Sequence, residues 1–179
     1  MSALFKTGLI TLLACSYVAA SPILEARQSC GEGMQHICYG APDSQAQGID
    51  PDDLLYLVDS IRHDASKDPS TPAFFNMPPN SKHQCEEWTI ATEGTVLVLA
   101  KHTSAQLNTT VLYQDIANTL DGGPNATAEQ KKASILGCGK NGGQVGLVYD
   151  KNNAAYNSEA YKAWKATPSG LVIKVVHSA

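Results

Sequence analysis

No stretch of this 179-residue sequence approaches the roughly 18 uninterrupted apolar residues that a membrane-spanning helix requires, which excludes a spanning helix. Basic residues are scarce: 13 Lys and Arg stand against 17 Asp and Glu, with no basic cluster. Nucleic acid and anionic lipid are held largely through neutralised phosphates, so neither is an expected partner. No C-x-x-C pair exists and the five histidines are scattered, so spacing offers no zinc site. The G-x-S-x-G elbow and H-E-x-x-H are missing too. "LGCGKNGG" at 136–143 has a glycine-lysine step without the phosphate-loop spacing. "DKNNAAYNSEAY" at 150–161 puts Ala155 where a calcium loop turns on glycine, and Tyr161 where its bidentate glutamate belongs. No metal or cofactor is expected.

What is present begins with an address. Residues 1–20, MSALFKTGLITLLACSYVAA, carry one lysine, a short apolar run from Gly8 to Leu13, and Val18-Ala19-Ala20 before Ser21. That is the pattern of a secretory signal peptide with a small-residue cleavage site. Residues 21–29 form a short N-terminal segment, read as a propeptide if Arg27 is a processing site, and 30–179 are one domain. Removing Lys6 leaves 13 less one, or 12, basic residues against 17 acidic. Removing Cys15 leaves Cys30, Cys38, Cys85 and Cys138, an even set in an oxidising compartment, and hence two disulfides with three possible pairings. Asn108-Thr109-Thr110 and Asn125-Ala126-Thr127 are glycosylation sequons. The expected product is secreted, soluble and monomeric.

Periodicity supplies the elements. Met34 to Tyr39 alternates as a short strand. In IDPDDLLYLVDSIRHDA, Asp50 caps, Pro51 fits the first helical position, and Leu54, Leu57, Val58 and Ile61 form a stripe. Four prolines in SKDPSTPAFFNMPPNSK predict a long surface loop. Glu86 to Ala91 and Thr95 to Ala100 read as a hairpin turning around Thr92-Glu93-Gly94, its second strand apolar enough to be covered on both sides. A helix over 110–120 follows, then one from Thr127 to Gly137 opened by a capping box with Gln130. Gly146 to Asp150 and GLVIKVV at 170–176 read as strands, with a helical turn in SEAYKAWKA between them.

This order implies an α+β two-layer sandwich: an antiparallel sheet of about five strands with two to three helices on one face, the split strand-helix-strand plan. That plan brings the starts of the first two strands to one edge, and the end of the first to the start of the fourth. It predicts Cys30 bridged to Cys85 and Cys38 to Cys138.

His63, His83 and His102, with Glu86, Glu87 and Arg62, are the available acid-base kit. In a metal-free ribonuclease, His83, Glu86, Glu87 and His102 would supply acid and base, with arginine on the phosphate. The preferred reading leaves them as solvated hairpin ends, with no catalytic residue. Trp88 and Trp164 are expected in the core. Phe74, Phe75 and Met77 either tuck under as a lid or stay exposed as a binding patch.

Together with the four cysteines, "CEEWTI", "VLAKH", "LYQDIANTLDGG", "ILGCGKNGG" and "GLVIKVV" resemble small secreted proteins of filamentous fungi. The chain is similar to hypersensitive-response-inducing elicitors and Ecp2-like effectors, whose plan resembles the KP4 and KP6 killer toxins. It has fewer cysteines than KP4-type toxins, and no catalytic residue carries over. The resemblance implies an effector that binds a host plant cell-surface or apoplastic protein, in the apoplast or inside the host cell. It would modulate defence or induce plant cell death. A ribonuclease-like hydrolase and an antimicrobial killer toxin are the alternatives.

Overall fold

The computed structural model describes residues 29–42, 44–68, 70–79 and 85–179. The expected signal peptide, Arg27 and His83 lie outside the described residues. A five-stranded, wholly antiparallel sheet has the order β1 (Ile37–Cys38), β6 (Gly143–Gly146), β7 (Leu171–His177), β4 (Val96–His102), β3 (Glu87–Glu93). A second sheet pairs β2 (Phe74–Met77) with β5 (Thr109–Leu112). Helices α1 (Pro51–Ser66) and α2 (Tyr113–Asp121) pack against the large sheet, while α3 (Ala128–Ala133) and α4 (Glu159–Ala163) are short. The α+β sandwich expected from the element order is therefore the observed class, with the last strand in the middle.

The period-2 alternation of β4 and β7 sorts their side chains onto two faces. Val96, Val98 and Ala100 of β4, with Leu171, Ile173 and Val175 of β7, meet Leu54, Leu57, Val58 and Ile61 of α1 and Ile116 and Leu120 of α2. Each large apolar side chain so buried contributes roughly 1.5–3 kcal/mol. The opposite face is covered as well, because residues 29–36 run across it. Cys30 N–H donates to the Thr103 carbonyl at 3.0 Å and Gly146 N–H to the Met34 carbonyl at 2.9 Å. Between those points Glu32 accepts from Lys101 at 3.0 Å, Gln144 at 3.1 Å and Lys174 at 3.3 Å. Burial pushes the Glu32 carboxyl up, but these partners outweigh it and hold the group below its ordinary value. Leu99 and Val172 are buried beneath this strap, so β4 is covered on both sides as its sequence suggests.

α1 starts where its sequence says, with Asp50 accepting from Asp52 N–H at 2.9 Å and Pro51 at the first position. Its first turn grips the β3–β4 hairpin: Asp53 accepts from Thr95 N–H at 2.7 Å and Thr95 Oγ1 at 2.8 Å. The turn is Gly94-Thr95, one residue later than expected. Gly94 has φ +49°, and a Cβ there would lie 2.3 Å from Asp53 Oδ2, so the close approach itself requires glycine. Arg62 joins α1 to the end of α2, donating to Asp121 at 2.7 and 2.5 Å and to Asn118 at 3.1 Å.

Several expected bounds are corrected. The proline-rich stretch is not wholly loop: β2 forms because residues 109–112, of which 110–112 were expected as helix, are an extended run rich in β-branched residues whose backbone groups pair with it. α2 therefore begins at Tyr113. α3 keeps its Thr127–Gln130 capping box but stops at Ala133, and a 3-10 segment spans Ile135–Asn141. β6 lies earlier than the expected 146–150, because after Gly146 the chain leaves the sheet and Val148 N–H turns to Thr119 Oγ1 at 3.0 Å. The first strand shrinks to two residues, since its upstream half belongs to the strap.

Both predicted disulfides are present, Cys30–Cys85 and Cys38–Cys138. Cys30 lies beside the end of β4, next to which β3 begins two residues after Cys85, and Cys38 of β1 faces the approach to β6. Among the described residues no helix is long and apolar enough to cross a membrane.

Candidate functional site

Among the described residues the acid-base kit does not converge. Glu87 is the cross-strand partner of Lys101 on the strap side of the sheet, where it accepts from Lys174 at 2.5 Å. His102, one residue beyond Lys101, alternates to the helix side. It is 4% exposed and bonded to the Met77 carbonyl, so the expected solvated hairpin end is instead a core histidine. Burial holds its imidazole below its ordinary value. Nε2 of His102 has no partner among the described residues. Arg62 is taken up by Asp121, and His63 sits exposed in the last turn of α1. Glu86 is exposed just before β3.

The proposed binding patch divides in the same way. Phe75 and Met77, 8% and 2% exposed, point into the core, and Phe75 sets its ring edge against Tyr113 at 6.1 Å. Phe74, on the other face of β2, joins an aromatic cluster with Tyr156, Tyr161 and Trp164 at centroid distances of 6.0, 5.4 and 5.4 Å. Trp88 packs on the core as expected, whereas Trp164 is 50% exposed at the edge of this cluster. α4, capped by Ser158, buries Tyr161 in this cluster and ends there, so Trp164, the residue that follows its last turn, stays at the rim.

A surface cleft of about 560 Å³ was not foreseen from the sequence. α2 supplies Asp115 and Asn118, the following turn Asn125, α3 Gln130, and the chain beyond β6 Tyr149 and Asp150. Thr119 holds the two walls in place, since its hydroxyl donates to the Asp115 carbonyl at 2.8 Å and accepts from Val148 N–H. Asp115 is 5% exposed and accepts from the Tyr156 hydroxyl at 2.6 Å, which itself accepts from Leu112 N–H at 2.9 Å. Burial raises the Asp115 carboxyl above its ordinary range; the Tyr156 bond pulls it down, and the charge of Asp150 pushes it up further. Tyr156 stays protonated, and burial pushes Tyr161 up to about 12. The cleft thus holds two carboxylates, the buried Asp115 and Asp150, with amides around them. One signal was readable: an aspartate in the apolar-periodic stretch LYQDIANTL lies next to Ile116 on the buried side.

No family model, curated protein or solved structure matches the chain. The reading of this site therefore rests on its own geometry. The two sequons differ in setting. Asn125 stands exposed on the cleft rim. Asn108 donates its amide to the carbonyls of Trp164 at 3.0 Å and Lys165 at 3.4 Å, so a glycan there removes one of these bonds.

Asp115→Asn keeps an oxygen for Tyr156 while fixing the neutral form. A raised folded-state pKa contributes stability that is fully present below the unfolded value near 3.8 and lost as pH rises through the raised value. The variant is therefore expected to melt with the wild type near pH 3 and above it at pH 7, in thermal scans across that range. A gain confined to acid pH contradicts the assignment.

Proposed function

We propose that this chain is a secreted recognition protein: a fungal effector or elicitor that binds a host plant cell-surface or apoplastic protein. It modulates defence or induces plant cell death, and so contributes to virulence. The observation that carries this reading is the opposed orientation of Glu87 and His102, each committed to a structural partner on its own face of the sheet. Two disulfides that tie the strap and β1 to distant parts of the chain suit a protein meant to keep one surface intact outside the cell. The surface available for recognition is the open cleft, with the exposed Trp164 edge as a second aromatic contact.

Infiltrating the purified oxidised protein into leaves is expected to produce cell death or an altered defence response, while a reduced and alkylated control does not. Equal responses to both preparations would reject a folded ligand surface. A second reading, hydrolysis in the cleft, is favoured by one observation: two carboxylates, Asp115 and Asp150, line it, and burial raises the Asp115 carboxyl above its ordinary range. It requires Asp115→Asn to lose the plant response while remaining folded. Under recognition, the isosteric variant keeps it.

A further inference from the structure

The scattered histidines conceal one local encounter. His36 precedes β1, Cys38 lies in β1 and Cys138 in the 3-10 segment, 102 residues from His36 in sequence. In the fold, His36 Nε2 is 3.2 Å from Cys138 Sγ and 3.8 Å from Cys38 Sγ. All three ligand atoms lie within 4.8 Å of one another. In a tetrahedral zinc site with Zn–S near 2.3 Å and Zn–N near 2.0–2.1 Å, the nitrogen and a sulfur sit about 3.6 Å apart and two sulfurs about 3.8 Å apart. The two nitrogen-sulfur distances already bracket that value. Only the sulfurs must separate.

We propose that His36, Cys38 and Cys138 form a redox-gated site for a divalent transition metal of the zinc type, closed as a disulfide and opened by thiol reduction. Two external thiols donate two electrons and two protons to the Cys38–Cys138 bond and leave as their own disulfide. The metal then takes both sulfurs as thiolates, releasing two protons, and accepts the lone pair of His36 Nε2. Exposed His36 and half-buried Cys38 leave a side open to solvent, so water completes a four-coordinate shell. Bridge and metal are alternative clamps on the same pair, β1 and the 135–141 segment. The proposal is independent of the effector reading: it concerns the reduced protein, and any compartment rich in thiols would populate it.

The test uses the mature chain carrying Cys30→Ser and Cys85→Ser, so that the second bridge contributes no thiol. After reduction with a phosphine and its removal, Co²⁺ is titrated and the sulfur-to-metal charge-transfer absorption is followed. One equivalent is expected to bind, with displacement by Zn²⁺, no binding to the oxidised protein, and an affinity more than about 100-fold weaker in His36→Ala. If reduction unfolds the chain, Zn²⁺ is expected to restore its circular dichroism, because metal binding then drives folding. Equal affinity with and without His36 overturns the proposal, and so does an unfolded chain that zinc fails to restore.

Discussion

Replacing both Cys38 and Cys138 with serine lowers the free energy of unfolding by about 4–5 kcal/mol, measured by urea denaturation of oxidised protein. The bridge spans a sequence separation of 100 residues, and closing a loop of that size removes that much freedom from the unfolded chain on the loop-entropy account. The local structure magnifies the effect. β1 is two residues long at the edge of the sheet, with Ile37 42% exposed, so little apolar burial keeps it in place. Without the bridge, β1 leans on its pairing with β6 and on the hydrogen bonds of the strap. The Cys30–Cys85 bridge spans a separation of 55, and removing it instead is expected to cost about 4 kcal/mol. Domains of this size have about 5–15 kcal/mol in total, so either loss is a large share of it. A loss under about 1 kcal/mol for the Cys38–Cys138 pair would mean that β1 and its partners are held without the bridge.

Phe75→Ala is expected to cost about 3–5 kcal/mol, the penalty for emptying a buried aromatic site that cannot collapse. Phe75 is boxed in on three sides: its own strand pairs with Val111, Tyr113 meets it edge-on, and the α1 and α2 side chains fill the space beyond. At roughly 2–4 °C per kcal/mol for a chain of this length, the melting temperature falls by about 10 °C. Phe74→Ala, on the half-buried face of the same strand, costs less because that side chain is only partly removed from solvent, so less burial is lost. The pair also separates packing from recognition. If Phe75→Ala protein, kept below its melting temperature, still provokes the plant response, that residue has no part in docking. A variant that melts with the wild type but fails to provoke it would return Phe75 to the binding surface.

The elements that were readable from sequence are those whose local rules and packing agree. α1 carries its cap, its proline and its apolar stripe within sixteen residues, and all three act where they stand. The hairpin, the capping box of α3 and the final strand are local in the same sense. Residues 109–112 show where such rules fail. Leu112, Ile116 and Leu120 keep helical spacing, yet the Thr109-Thr110-Val111 run finds its hydrogen-bond partners in Phe74–Met77, thirty-odd residues away. His102 is a second case, because nothing in "VLAKH" states which way the last side chain of a strand points until the register with β7 is set.

By itself, then, the sequence determined the class of the fold, its longest helix, the hairpin and the covalent frame, because short-range periodicity, capping chemistry and an even count of cysteines act over a few residues or on topology alone. Only the tertiary structure decided which polar groups meet. It separated Glu87 from His102, assembled the Asp115 cleft from four stretches of chain, and set His36 against a sulfur 102 positions away. Side-chain chemistry of that kind depends on sheet register and on which face each residue takes, and those are settled by burial of the whole core.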